Sequence, residues 1–343
     1  MMDCRVVVCI AGVMLAAAGP APRDVPAHAV PVPLTASPQL QALIEKPLNP
    51  LHAQVPADAA GWKRQVSDAA NSILKTYPGM EQRLHVSVRR VVIAGVPCFE
   101  LTPASVPPRN RHRLLIHIHG GAYVLYPGES AIGEAILMAG IGHFRVISID
   151  YRMPPDHPFP AAMDDADAVW RAVVHEHDPA NMAVFGTSTG GGMTLLLVQR
   201  ARAEHLPLPA AIAPGTPWAD LSDTGDTLFA NAQLDNVLVT DDGWLDAAAR
   251  LYAHGIDLKD PRLSPIYGDF AGFPPTILTS GTRDLFLSNT VRVQRKLHQA
   301  GVEAELQVFE GMSHAQYQFD DRVPETQEAF GQIAGFFDRH LGK

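Results

Sequence analysis

The chain has 343 residues, of which 47% are hydrophobic and 18% charged, and its formal net charge is −9. This length and apolar content exclude a disulfide-stapled miniprotein and a mainly disordered chain, because enough apolar surface is present to build a large core. The acidic balance and the lack of a basic block make nucleic acid and anionic membrane surfaces poor partners. We therefore expect a soluble globular protein with many loops.

Residues 1–29 have the pattern of an export signal. Arg5 precedes an apolar run over residues 6–18, and residues 27–29 (Ala-His-Ala) fit a small-residue cleavage site. The run is too short to span a bilayer comfortably, so we expect a periplasmic or secreted protein with no stable membrane insertion after cleavage. A buried N-terminal strand or helix is the alternative. Cleavage leaves Cys98 as the only cysteine, so no internal disulfide is expected.

The segment before the main domain predicts an arm, helices and a hairpin. Residues 30–38 are Pro-rich, and apolar residues then recur with a helical period from 38 to 77. Pro78 and Gly79 are predicted to end this helical region. Two strands follow, at 84–94 and 96–102, and turn at Gly95.

From residue 114 onward, predicted strands and helices alternate. The strands are expected at 114–119, 145–150, 182–186, 210–213, 276–280 and 303–309. The helices are expected at 131–141, 161–176, 190–203, 288–300 and 325–341. Such alternation predicts an α/β fold with a mainly parallel sheet, helices on both of its faces and an antiparallel edge from the hairpin.

One segment interrupts the alternation. Residues 219–268 carry a predicted helix at 242–252 within long Asp- and Gly-rich loops. We assign this insertion, together with residues 30–80, to a small helical cap. Residues 81–343 then form the catalytic domain.

The sharpest chemical signal is at residues 186–191, which read Gly-Thr-Ser-Thr-Gly-Gly between a predicted strand and a predicted helix. This context is that of a nucleophile elbow, in which the residues two before and two after the serine must be small. The turn places Ser188 at a helix N-terminus, which favours developing negative charge. An ordinary Gly-rich loop is the alternative.

A second signal, His119-Gly120-Gly121, ends the predicted strand at 114–119. Adjacent glycines allow backbone amides to approach a ligand, and acyl transfer needs such amides to stabilise an oxyanion. We assign this role to the amides of Gly120, Gly121 and Thr189. His117 and His119 share a strand face, but no third ligand is apparent, so we predict no metal.

Three apolar residues follow the glycines, Tyr123, Leu125 and Tyr126. They are candidates for the wall of a substrate pocket. Plain core packing is the equally weighted alternative.

A serine nucleophile needs a base, and the base needs an acid that orients it. In a parallel-sheet hydrolase both follow later strands, in the order serine, acid, histidine. Asp284 follows the strand at 276–280, and His314 follows the strand at 303–309. The rival acids, Asp220 and Asp242, lie in the irregular insertion and fit a helix N-cap or loop role better.

Together these motifs resemble the α/β-hydrolase superfamily, and within it the hormone-sensitive-lipase-like, bacterial type IV, esterase family. The resemblance covers most of residues 80–343. It is carried by the Ser188, Asp284 and His314 segments and by residues 119–121 (His-Gly-Gly), 150–152 (Asp-Tyr-Arg), 157–162 (His-Pro-Phe-Pro-Ala-Ala), 217–221 (Pro-Trp-Ala-Asp-Leu) and 273–276 (Phe-Pro-Pro-Thr). It implies the α/β-hydrolase fold, ester hydrolysis with short or medium acyl chains, no cofactor and a helical cap.

The sequence departs from the family pattern at four positions. Ala122 stands where a third glycine is usual, Thr187 and Thr189 stand where Asp and Ala usually flank the nucleophile, and Leu285 replaces the proline after the acid. These changes concern the substrate range more than the mechanism.

We therefore expect a serine carboxylesterase that acts through an acyl-enzyme on a small-molecule ester. A lactone hydrolase or amidase using the same triad is the enzymatic alternative. A non-catalytic small-molecule binding protein on the same scaffold is the remote one. The resemblance also leaves a homodimer open.

Overall fold

The computed structural model describes residues 22–343. Residues 22–31 belong to an N-terminal unit, in which they form neither helix nor strand and their side chains are exposed. Residues 32–343 form the second compact unit. Residues 1–21 of the expected export signal lie outside the described part of the chain. Between residues 22 and 343, no helix combines the length and the apolar character that crossing a bilayer requires.

Eight strands form one sheet in the described residues, in the order β1-β2-β4-β3-β5-β6-β7-β8. They are β1 (Val86–Ile93), β2 (Val96–Pro103), β3 (Leu114–Ile118), β4 (Arg145–Ile149), β5 (Met182–Thr187), β6 (Ala211–Gly215), β7 (Thr276–Gly281) and β8 (Ala304–Phe309). The β1–β2 hairpin is antiparallel and β2 pairs antiparallel with β4, whereas the other neighbours are parallel. The predicted fold class, including its antiparallel edge, is confirmed.

Ten α-helices surround the sheet within residues 22–343. They are α1 (Pro38–Ile44), α2 (Ala59–Leu74), α3 (Tyr77–Leu84), α4 (Gly133–Gly142), α5 (Ala161–Glu176), α6 (Thr189–Ala203), α7 (Asp226–Ala230), α8 (Trp244–Ala253), α9 (Leu287–Gln299) and α10 (Pro324–His340).

The central strands are buried on both faces, which explains their nearly continuous apolar sequences. Met182 and Val184 of β5 point into a core shared with α5, α6 and α9. Ala183 and Phe185 of the same strand point into a second core, shared with α4 and α10. Because successive side chains alternate between faces, one strand serves both cores.

The prediction that Pro78 and Gly79 end the helical region is wrong. Pro78 lies in the first turn of α3, where a helix has no partner for the amide hydrogen that proline lacks. The helix continues to Leu84 and ends at His85, whose φ is +53°. Strand β1 therefore begins at Val86, two residues later than predicted.

The N-terminal helices contact the insertion between β6 and β7. The indole rings of Trp62 on α2 and Trp244 on α8 have centroids 5.7 Å apart. The Trp244 indole also donates a hydrogen bond of 2.6 Å to the Gln65 side chain. Asn49, between α1 and α2, donates from its side chain to the Val237 carbonyl at 3.1 Å.

Candidate active site

A tight turn between β5 and α6 presents Ser188. The φ and ψ of this residue are 63° and −122°, a conformation that L-residues rarely adopt and that marks strain at functional turns. A Cβ atom on Gly186 would lie 2.0 Å from the Ile118 carbonyl oxygen, and one on Gly190 would lie 1.9 Å from the same atom. Only glycine fits at both positions, as a nucleophile elbow requires.

The loop after β3 lies against this turn. A Cβ atom on Gly120 would stand 3.2 Å from the Ser188 Cβ and 2.7 Å from the Thr187 carbonyl oxygen. Gly121 has a φ of +117°, and its carbonyl accepts the amides of Val124 and Leu125 at 3.0 and 2.8 Å. Within the described residues, the amides of Gly120 and Gly121 donate no hydrogen bond, so they are available to an anion.

Asp284 and His314 form a buried pair. Asp284 follows β7, His314 follows β8, and the Asp284 Oδ1 lies 3.0 Å from the His314 Nδ1. The amide of Phe286 donates to the same carboxylate oxygen at 2.8 Å, and the Ser280 hydroxyl donates to Oδ2 at 2.8 Å. The Phe286 ring packs edge-on against the imidazole, with centroids 4.9 Å apart. The carboxylate is therefore held on one side of the ring.

The other ring nitrogen, His314 Nε2, makes no hydrogen bond to any residue in the range 22–343. His314 and Ser188 line one cavity of about 580 Å³, together with Gly120 and Gly121. The tertiary structure thus brings these four predicted site residues to a single cavity, and Asp284 lies behind the histidine. Thr189 is the first residue of α6, directly after Ser188.

Neither rival acid pairs with His314 in the structure. The Asp220 carboxylate accepts hydrogen bonds from Arg292 at 2.8 Å and from the Tyr267 hydroxyl at 2.9 Å. Asp242 is exposed. The Asp220 carboxylate is therefore occupied by partners other than His314.

The three residues predicted as candidates for the pocket wall differ in their positions in the structure. Leu125 and Tyr126 line the cavity. Tyr123 does not, which corrects its assignment to the pocket wall: its side chain is fully buried and stacked on Tyr252, with ring centroids 3.6 Å apart. The turn at Gly121 gives Tyr123 a φ of +64°, and its side chain packs in the core instead.

The N-terminal helices supply cavity residues that sequence analysis missed. Ile73, Tyr77 and Met80 line the cavity, and the Tyr77 hydroxyl donates to the Ser130 carbonyl at 2.8 Å. Their helical periodicity is the same for a core face and for a pocket wall, so the pattern alone does not distinguish the two.

The two histidines of β3 and its following loop have protein partners. His117 lies between the Ser148 hydroxyl at 2.8 Å and the Glu134 carboxylate at 3.2 Å. The His119 Nδ1 lies 2.7 Å from the Gly120 carbonyl, and burial lowers the pKa of His119 to about 3. His119 is therefore neutral near pH 7. Among residues 22–343, no three His, Cys, Asp or Glu side chains form a group that could hold a metal.

A larger open cavity, of about 950 Å³, lies elsewhere on the molecule, and Leu196, Arg200 and Arg262 contribute to its lining. None of the predicted site residues lines it. Arg200 pairs with Asp164 and Arg262 with Asp260, so these cations are already neutralised.

Comparisons with known proteins agree with this geometry. Residues 115–318 match a family model described as the alpha/beta hydrolase fold. An acetyl-hydrolase of Streptomyces hygroscopicus is 30% identical over 234 residues, which is 68% of this chain and 77% of that protein.

Two solved structures extend the likeness. The esterase E25 superposes with a TM-score of 0.90 at 42% identity, covering 93% of this chain and 99% of its own. An esterase from the bacterial hormone-sensitive lipase family superposes with a TM-score of 0.70 at 28% identity, covering 77% and 90%. The chain belongs to the α/β-hydrolase family, in its hormone-sensitive-lipase-like esterase branch.

Proposed function

We propose that the protein is a serine carboxylesterase whose triad is Ser188, His314 and Asp284. One observation carries the proposal. A strained serine, the free nitrogen of a carboxylate-bound histidine and two unpaired backbone amides meet at one cavity. The names of the similar proteins, acetyl-hydrolase and esterase, support the same reaction class.

In the first half of the reaction, His314 Nε2 accepts the proton of the Ser188 hydroxyl while the Ser188 Oγ bonds to the ester carbonyl carbon. The carbonyl oxygen becomes an oxyanion, which the amides of Gly120, Gly121 and Thr189 stabilise. The intermediate collapses when the bond to the alkoxy oxygen breaks. His314 returns its proton to that oxygen, and the alcohol leaves an acyl-enzyme.

Water then repeats the sequence on the acyl-enzyme. His314 removes a proton from the water, the hydroxide oxygen bonds to the acyl carbon, and Ser188 leaves with the proton that His314 returns. Asp284 accepts the hydrogen of His314 Nδ1 in both halves. It thereby keeps Nε2 unprotonated in the resting state and stabilises the imidazolium.

The size and lining of the cavity are the evidence for short- to medium-chain esters as substrates. Its volume of about 580 Å³ lies in the range of small-molecule pockets, and Leu51, Ile73, Met80 and Leu125 give it apolar walls. A homologous series of p-nitrophenyl esters from acetate to laurate tests this range, and we expect kcat/KM to be highest in its shorter half. A maximum at laurate would contradict the proposed chain length.

Export, cleavage after Ala29 and a periplasmic or secreted location are further parts of the proposal, as is a homodimer. The exposure of residues 22–31 supports access for a signal peptidase. N-terminal sequencing of the protein recovered from the periplasm or medium tests the cleavage. Light scattering coupled to size-exclusion chromatography tests the dimer.

Substitution of the nucleophile tests the catalytic proposal directly. We expect Ser188→Ala to abolish hydrolysis of p-nitrophenyl butyrate and labelling by a fluorophosphonate, while the fold is retained. Ser67→Ala, which removes an exposed hydroxyl on α2, is the matched control and should leave both signals unchanged. Wild-type turnover by Ser188→Ala would disprove the assignment.

A further inference from the structure

Asp235 is a buried carboxylate that the mechanism above does not use. It lies in the insertion between β6 and β7, and none of its surface is exposed. Its two oxygens accept four backbone amide hydrogens. Oδ1 accepts those of Val237 at 2.8 Å and Leu238 at 3.1 Å, which close a local turn.

The second oxygen reaches the two catalytic loops. Asp235 Oδ2 accepts the amide of Leu285 at 2.9 Å and the amide of His314 itself at 3.2 Å. Leu285 directly follows Asp284 in the chain. One oxygen atom therefore connects the backbone of the proposed acid loop to the backbone of the proposed base.

Neighbouring residues of the insertion contact the same two loops. The Asn231 side chain donates to the Asp284 carbonyl at 2.9 Å and to the Thr282 carbonyl at 3.2 Å. The Asn236 amide donates to the Ser313 hydroxyl at 3.2 Å. The insertion thus contacts both loops from outside the sheet, and the Asp235 side chain contacts the two loops at once.

We propose that Asp235 is a positioning residue for the reaction proposed above: its carboxylate holds the Asp284 and His314 loops in register so that Nδ1 stays on Asp284 and Nε2 faces Ser188. This inference rests on the proposed function. A carboxylate is needed because each of its oxygens accepts two amide hydrogens, and an ionised carboxylate is an acceptor on both oxygens.

The charge of Asp235 has a second effect. Two ionisable side chains act on it electrostatically: the Asp284 carboxylate raises its pKa and the His314 imidazole lowers it. Burial is the largest cause, and the pKa of Asp235 is raised to about 6. Asp235 is therefore ionised above pH 7, where its charge stabilises the imidazolium that forms on His314, and it is protonated below pH 5.

Three variants separate these roles. Asp235→Asn removes the charge and half of the acceptor capacity with little change in shape. Asp235→Ser keeps a hydroxyl acceptor for the local turn but is too short to reach both loops. Asp220→Asn is the matched control, because Asp220 is an equally buried carboxylate of the same insertion, and its partners Ser222, Tyr267 and Arg292 lie outside the two catalytic loops.

Steady-state hydrolysis of p-nitrophenyl butyrate at pH 8 is the first measurement. We expect both Asp235 variants to lower kcat about 10- to 100-fold, a part of the factor of 10²–10⁴ that positioned general bases contribute. KM should change little, since no cavity-lining atom is lost. The rate of fluorophosphonate labelling should fall in parallel, and Asp220→Asn should match the wild type in both.

The pH profile of kcat/KM is the second measurement, and a merely structural role would not move it. In the wild type, protonation of Asp235 as the pH falls through about 6 should weaken its hold on the two loops, so this ionisation should add to the steepness of the acid limb. Asp235→Asn lacks this ionisation, so its acid limb should be shallower than that of the wild type. The profile of Asp220→Asn should coincide with that of the wild type.

Clear outcomes overturn the inference. It is wrong if Asp235→Asn and Asp235→Ser retain the kcat and pH profile of Asp220→Asn. If neither variant folds, a wild-type acid limb with the slope of a single ionisation also contradicts it. If Ser188→Ala keeps its activity, the proposed function itself is wrong. If Ser188→Ala is inactive and the Asp235 variants are unaffected, the proposed function stands and only the role of Asp235 is disproved.

Discussion

The hydroxyl of Thr216 donates a hydrogen bond to Oδ2 of Asp284. The same hydroxyl lies 3.2 Å from His314 Nδ1, so it contacts both members of the Asp284–His314 pair. Thr216 directly follows β6, and its φ is +29°, a strained value for a β-branched residue. Thr216 thus joins Ser280 and Phe286 as a donor to Asp284, and it lies at a strand end that carries no catalytic motif.

The first prediction concerns that hydroxyl. Thr216→Val keeps the shape of the side chain and removes its donor, while the Ser280 hydroxyl and the Phe286 amide remain on Asp284. A hydrogen bond to a charged group contributes roughly 1.5–3 kcal/mol to stability, and because two other donors remain on the carboxylate we expect only the lower end of this range, a fall in kcat of about tenfold. Thr216→Ser should restore it. Equal kcat values for the valine and serine variants would show that the hydroxyl has no role.

The second prediction concerns the loop that carries the proposed oxyanion donors. In Gly120→Ala the new methyl group would press on the Thr187 carbonyl and on Ser188, so the loop must move away from Ser188. We expect kcat to fall by about 10² to 10³, the effect of losing one oxyanion donor, with little change in KM.

A glycine outside the site provides the control. A Cβ atom on Gly331, in α10, meets no atom within 4 Å. Gly331→Ala should therefore leave kcat unchanged and raise the free energy of unfolding by about 0.4–1 kcal/mol. Similar activity losses in the two variants would contradict the oxyanion assignment.

The third prediction concerns stability and pH. The pKa of Asp235 is raised to about 6 from the 3.8 of an unperturbed aspartate, mainly by burial. Between these values the folded state holds a proton that the unfolded state has lost, so this group's contribution to stability falls as the pH rises from about 4 to 6. Asp235→Asn lacks this titration.

The free energy of unfolding of Asp235→Asn minus that of the wild type should therefore rise between pH 4 and pH 7, by up to about 3 kcal/mol. Urea denaturation at both pH values measures it. A difference that is independent of pH would show that burial does not destabilise the Asp235 carboxylate.

The fourth prediction concerns the free thiol. Cys98 is buried in β2, and burial raises its pKa to about 12. Because the thiolate is the reactive form, the native protein should leave the Cys98 peptide unmodified by maleimide at pH 8. The same peptide should react fully in urea, as mass spectrometry of the digest will show. Rapid native labelling would mean that β2 opens or that the thiol is exposed.

Much of the fold follows from local patterns. Strand β5 and helix α6 have unambiguous signals, because an apolar strand runs into a glycine-rich turn and then into a helix. Pro78 shows the limit of such signals. A proline is compatible with both the end of one helix and the first turn of the next, and the burial of Tyr77 and Met80 decides between them.

Side-chain direction is less accessible from sequence. Tyr123 and Tyr126 are the same residue type three positions apart in one loop, yet Tyr126 lines the cavity and Tyr123 stacks on Tyr252. Positive φ values in the loop set these directions, and a regular period does not apply there. The sequence therefore predicts the loop but not which of its side chains line the cavity and which pack in the core.

The order of motifs along the chain determined the fold family and the candidates Ser188, Asp284 and His314, because strand-end residues of a parallel sheet meet at one edge whatever the loops do. Tertiary structure alone decided which polar groups support them. Asp235 and Thr216 lie 49 and 68 residues from Asp284 in the chain, and no motif marks them. Asp235 accepts backbone amides, which every residue possesses, and Thr216 offers an ordinary hydroxyl, so only the folded chain brings these groups within hydrogen-bonding distance of the two loops.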